Sequence, residues 1–232
     1  MSPSSALLVH VRRADPDRFF CTVFAPAEKR EMLLLLYAFN HELARAREVA
    51  SEPTLALIRL HWWREVVAGA EKAHDIATPL RAALAQGVFD RDDLLALIAA
   101  REIEAEPDIP DAATFYRYAA GTAGSLARIA GKFLGADSDA VASLGTAYGI
   151  SGILRAAPYL ARSGRSLLPA DGTPQAALIS HARTLLTAKP PAAALPAALP
   201  AVYARRDLGK PYRPRGLADR LAVISAAFTG RI

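Results

Sequence analysis

Cysteine occurs once in the 232 residues, at Cys21, so no intrachain disulfide can form and a reducing compartment is the natural setting. Set in "FFCTVF", that thiol reads as a small core residue rather than a nucleophile. There is no HExxH helix, no zinc-spaced Cys/His cluster and no GxxxxGKS/T loop, which excludes the commonest metalloprotease, zinc-finger and nucleotide-binding signatures. Nor is there a dense Lys/Arg block. The net charge of +5 therefore points to phosphate groups or an anionic membrane surface as acidic partners, and not to nucleic acid. No stretch alternates with period two for long enough to build a sheet. The N-terminus "MSPSSALLVHVRRADPDR" lacks a signal-peptide layout. The one membrane-like run, Ala140 to Leu160, carries Arg155 and many small residues, which favours a buried helix over a span.

What is present is apolar residue at helical spacing. With 52% hydrophobic and 22% charged residues, the chain suits a single helical domain over residues 1–232. Helices are expected over Ala6–Arg13, Ala27–Ala50, from Pro53 through "TLALIRLHWWREVVAGAEKA", Thr78–Gln86, Arg91–Glu104 and Ala112–Leu134. Another should run from near Ser138 to near Pro158, followed by Gln175–Ala188, Ala192–Arg206 and Gly216–Thr229. In the second of these, Met32, Leu36, Phe39, Leu43, Ala46 and Ala50 form the core stripe. The class is all-α. "GTAGS", Gly121 to Ser125, lies inside a helical pattern, where small residues serve close helix approach rather than phosphate binding. Of Trp62 and Trp63, one should fill the core and the other lie at a rim, and Tyr116, Tyr118 and Tyr148 suit either an apolar pocket or the core.

Chemistry, if any, concentrates in "YAFNHELARARE", which packs His41, Glu42, Arg45, Arg47 and Glu48 into two turns. An all-α enzyme of diphosphates needs carboxylates four apart on one helix face to share Mg²⁺. The acid pairs on offer, Glu42 with Glu48, Glu48 with Glu52, and Glu102 with Glu106, are weak, since the last two lie at helix ends beside prolines. His10, His61, His74 and His181 are scattered and read as structural or surface residues.

Four stretches in order, "DPDRFFCTVFAPAEKREMLLLLYAFNHELARAREVASEP", "LIRLHWWREVV", "YAAGTAGSLARIAG" and "YGISGILRAAPYLARSGRSLLPAD", resemble the squalene/phytoene synthases, most clearly over residues 10–170. The resemblance implies the isoprenoid (terpenoid) synthase fold, a helical bundle around a central cavity. Active members of that family hold Mg²⁺ and substrate diphosphates on two aspartate-rich motifs. Against the first, "YAFCRxxDDxxD", this chain keeps Tyr37, Ala38 and Phe39 but has His41 at the Arg, Ala44 and Arg45 at the first two acids, and Glu48 at the last. Against the second, "QxxNIxRDxxxDxxxGRxYLP", it has Gly149 and Gly152 at the Gln and Asn, and Ala156 and Leu160 at the aspartates, while Arg155, Gly164, Arg165, Leu168 and Pro169 remain.

That much lost negative charge is incompatible with the family's way of gathering Mg²⁺ around two diphosphates. The pattern is most similar to a divergent branch that includes mitochondrial complex I assembly proteins and their bacterial relatives. On that resemblance the expected protein is non-catalytic, without a metal or other cofactor. Its expected partner is a protein of respiratory-complex assembly, and its expected place is the cytoplasm, peripheral at the inner membrane. His41, Arg45, Glu48, Arg155 and Arg165 are then candidates for a cavity that takes an anion, an isoprenoid or a lipid head group without metal. The plainer expectation is that Glu48 simply pairs with Arg45 or Arg155. A working Mg²⁺-dependent prenyl transferase is the competing reading, disfavoured by Ala44, Ala156 and Leu160.

Overall fold

The computed structural model describes residues 3–50 and 52–232; Met1, Ser2 and the Ser51 of "SEP" lie outside the described residues. The all-α class holds: among the described residues no strand forms, and the nearest to one is an isolated parallel bridge between Ile109 and Pro169. Contacts cluster into two units, Met1–Glu106 and Pro107–Ile232.

The first unit contains α1 (Pro3–Ala14), α2 (Pro16–Thr22), α3 (Arg30–Glu48), α4 (Pro53–Ala68), α5 (Ala77–Ala85) and α6 (Arg91–Arg101). Helix α3 is its axis, packed by α1, α2, α4, α5 and α6. From Leu33 to Asn40 every side chain is buried, so the apolar run is enclosed on all sides and the expected stripe is too narrow. Beyond Asn40 the helix turns amphipathic, with Leu43 and Ala46 inward. Trp63 is buried edge-to-face against Phe39 at 5.3 Å, and Trp62 is half-buried, which is the expected division of that pair. Helix α2 was not anticipated, although its signals are ordinary ones. Asp15 caps it by accepting from the Arg18 N–H, and Pro16 takes the first helical position. Helix α4 stops at Gly69, φ +111°, earlier than its apolar pattern suggests, because that left-handed residue ends the ladder. The end of the α6 segment tightens to a 3₁₀ turn at Glu102–Ala105.

In the second unit, α7 (Ala112–Ala119) runs through a π-helical turn at Ala120–Gly124 into α8 (Ser125–Leu134). These pack along α9 (Asp139–Arg162), which α10 (Gln175–Leu185), α11 (Leu195–Ala198) and α12 (Pro200–Asp207) also contact; α13 (Leu217–Thr229) lies on α12. Helix α9 does not end near Pro158 as expected. Proline there removes one donor, but the helix continues for another turn to Arg162 and is released at Gly164, φ +68°. The small residues of "GTAGS" do permit close approach. A Cβ added at Gly124 would strike Thr146, one at Gly145 would strike Ala127, and one at Gly149 would come within 2.6 Å of the Ala123 Cβ.

Candidate functional site

Helix α3 brings His41, Ala44, Arg45 and Glu48 into its last two turns because burial of Leu43 and Ala46 turns them outward. His41 is half-buried, its ring edge-to-face with His10 of α1 at 5.4 Å. Burial, and then the neighbouring His10, hold its pKa below the ordinary imidazole value, so the neutral ring is favoured. Glu42 is the carboxylate of this cluster, 3.9 Å from His10 Nε2 and 3.5 Å from Arg45 Nη1. Glu48 is exposed and forms no ion pair among the described residues. The partner expected for it on the same helix, Arg45, pairs with Glu42 instead.

On α9, Arg155 donates to Asp207 at 2.8 Å and lies over the Tyr212 ring at 5.1 Å. Asp207 also accepts from Arg215 at 2.8 Å, and Arg215 in turn covers Tyr203 at 4.4 Å. A second buried carboxylate, Asp219, accepts both Arg213 amino groups at 2.9 and 2.6 Å, Arg206 Nε at 2.7 Å and the Gly216 N–H at 2.9 Å. Desolvation opposes its charge, but these donors outweigh it and hold its pKa far below the usual carboxylate range. Four arginines thus meet two acids, leaving the cluster cationic. Beside it a cleft of about 540 Å³ is lined by Leu154, Arg155, Ile179, Lys210 and Tyr212 among others. Arg165 is half-buried in the loop after α9.

Further positions that the resemblance singled out lie on α9. Gly149, at the motif Gln, lies against Ala123. Ala156 and Leu160 are half-buried on α9 and supply no oxygen. Among the described residues no group of three or more His, Cys, Asp or Glu side chains is placed to hold a metal ion. Glu102, weighed above with Glu106, is held by Arg64 at 2.6 Å. Ala44, Ala156 and Leu160 offer no oxygen ligand to a divalent cation. Asp207 is held between two guanidinium groups, and Asp219 between two guanidinium groups and a backbone N–H. What this arrangement offers is cationic recognition of an anion.

Sequence reasoning passed over Asp207, Asp219, Arg206, Arg213, Arg215 and Tyr212. Two local signals mark them: the basic, proline-broken "GKPYRPRG", and an Asp three residues after Gly216, the position that closes a helix N-terminus. The other histidines serve packing or lie at the surface. His74 Nδ1 accepts from the Ile76 N–H, His181 stacks on Tyr116 at 3.9 Å, and His61 is exposed.

Solved structures share this architecture. The squalene synthase HpnC from Alicyclobacillus acidocaldarius matches with a TM-score of 0.68 at 14% identity, over 98% of this chain and 94% of that one. A dehydrosqualene synthase in complex with ligand matches with a TM-score of 0.62 at 14% identity, over 99% and 83%. The fold is thus that of the isoprenoid synthases. The squalene/phytoene synthase family model matches residues 11–208, and the chain belongs to that family. Among curated proteins it is similar to NADH dehydrogenase (ubiquinone) complex I, assembly factor 6. With the Bos taurus protein it shares 31% identity over 172 residues, which is 69% of this chain and 51% of the relative. The Homo sapiens protein is 29% identical over the same shares. The chain spans about half the length of these curated relatives.

Proposed function

We propose that this chain is a non-catalytic member of the squalene/phytoene synthase family, with no metal cofactor, that acts through a protein partner in assembly of respiratory complex I. The observation that carries this reading is the residue content of the four ligand positions: Ala44, Glu48, Ala156 and Leu160, with Arg45 beside them. One carboxylate in place of four cannot neutralise Mg²⁺ ions shared between two diphosphates, and the added guanidinium repels them. The likeness to complex I assembly factor 6 supports the choice of partner. The protein acts from the cytoplasmic face of the inner membrane as a peripheral component; no helix among the described residues is long and apolar enough to cross a bilayer.

A second reading, metal-free binding of an isoprenoid or lipid phosphate, is favoured by the cleft that carries Arg155 and Lys210. Two experiments separate these from the prenyl transferase. Incubation with farnesyl or geranylgeranyl diphosphate and Mg²⁺ should release no pyrophosphate; turnover that Glu48→Gln abolishes would refute the non-catalytic reading. Deletion in the source organism should lower assembled complex I on native gels, with tagged protein recovering one of its subunits or assembly intermediates. Normal complex I in the deletion strain would remove the assembly role.

A further inference from the structure

We propose that α13 is a docking helix for an anionic phospholipid surface. Its inner face is settled: Asp219, Val223 and Ala226 are buried where the helix lies on α12. At about 100° per residue, the opposite face presents Leu217, Leu221, Ile224 and Phe228 within an arc of about 60°. Leu217 is 73% exposed, Leu221 53% and Phe228 84%. Single exposed apolar side chains are ordinary on a protein surface. Three exposed side chains aligned with half-buried Ile224 along three turns, directly opposite the packed face, make a helix that is apolar on both sides, and such a stripe marks an unfilled contact.

The surrounding charge identifies the occupant. From Leu208 to Ile232 the side chains include Lys210, Arg213, Arg215, Arg220 and Arg231 but a single acid, Asp219, which is fully buried and already bound by Arg206 and Arg213. No exposed carboxylate side chain lies along that segment, while Lys210, Arg220 and Arg231 are exposed. A second copy laid isologously on this stripe would set cations against cations. A bilayer of anionic lipid meets both requirements: the stripe enters the boundary between head groups and acyl chains, and the basic rim stays among the phosphates. Arg220 lies about 70° around the helix from the centre of the stripe, where its stem can run along apolar surface and its head reach outward. Tyr212, 68% exposed in the loop before α13, suits the same interfacial depth. The Asp219 network fastens this helix to the second unit, so the face is presented already ordered.

This deepens the peripheral membrane placement proposed above, yet its test needs only purified protein. Full-length chain is sedimented with vesicles of phosphatidylcholine, with and without phosphatidylglycerol, at low and high salt. Binding is expected on the anionic vesicles alone, weakening with salt. Leu221→Glu with Phe228→Glu should cut it about tenfold or more, and Lys210→Gln with Arg231→Gln several-fold. Both pairs are exposed, and unchanged circular dichroism and melting would establish that the variants fold. Wild type left in the supernatant at low salt, or binding that the Glu pair does not change, overturns the proposal. So does a dimer in light scattering that the Glu pair dissociates, with no vesicle binding, which would make the stripe a self-interface. Wild type that binds no vesicles, from a strain whose complex I needs it, overturns the docking helix and leaves the assembly role standing; vesicle binding by wild type whose deletion leaves complex I normal does the opposite.

Discussion

Arg45 on α3 reaches a carboxylate less than one turn away at 3.5 Å, whereas Arg155 on α9 reaches one 52 residues further along the chain at 2.8 Å. The first pair is half in water and shares its acid with a histidine. The second belongs to a network in which two buried acids organise four arginines and two tyrosine rings. Both helices stand at motif positions of one family, yet the polar end of α3 is loosely held and that of α9 is built into the scaffold of its unit. A local pair between long side chains in high dielectric gains little over hydration, while a charge enclosed by its partners cannot lose one of them cheaply.

Substitutions should widen or erase that difference. The largest effect is expected at Asp219, where Asp219→Asn removes the charge that Arg206, Arg213 and the Gly216 N–H all address. A loss of about 3 kcal/mol in denaturant unfolding is expected. The same residue sets an acid dependence. Its folded pKa lies below the unfolded value of about 3.9, so its contribution is fully present above that pH and is lost as the solution is acidified below about 4. Acid unfolding followed by circular dichroism should show this fall in the wild type and a shallower one in Asp219→Asn. Asp207→Asn comes next, at about 2 kcal/mol, because Arg155 and Arg215 each lose a charge-assisted bond. Gly149→Gln, which restores a family residue, should cost about 1–3 kcal/mol in melting experiments, since Ala123 occupies the space. Arg45→Ala should change stability by less than about 1 kcal/mol. A large loss there would put α3 on the same footing as α9.

Much of this molecule could be read before its structure. Apolar spacing located the long helices, because that signal is local. The end of α9 was misjudged because Pro158 looks like a stop, while the physics allows a helix to lose one hydrogen bond in its last turns. Helix α2 was legible in Asp15–Pro16 and was passed over. The Asp207 and Asp219 clusters were hidden for a better reason. Their members come from α9, α12, α13 and the loop between the last two, and nothing in a linear chain says which arginine will find which acid. The reading of α3 as a narrow stripe failed likewise, because a helix wrapped by five neighbours has no solvent side over its first half.

The widened turn at Ala120–Gly124 sets the rotational phase of everything after it. Were the same residues wound as ordinary α-helix, α8 would be rotated by about 100°. The slot that Ala127 now fills against Gly145 would fall to Leu126, an isobutyl side chain where only a methyl group has room. That extra residue works as a keyway, and the seam between α8 and α9 closes in one angular setting because of it.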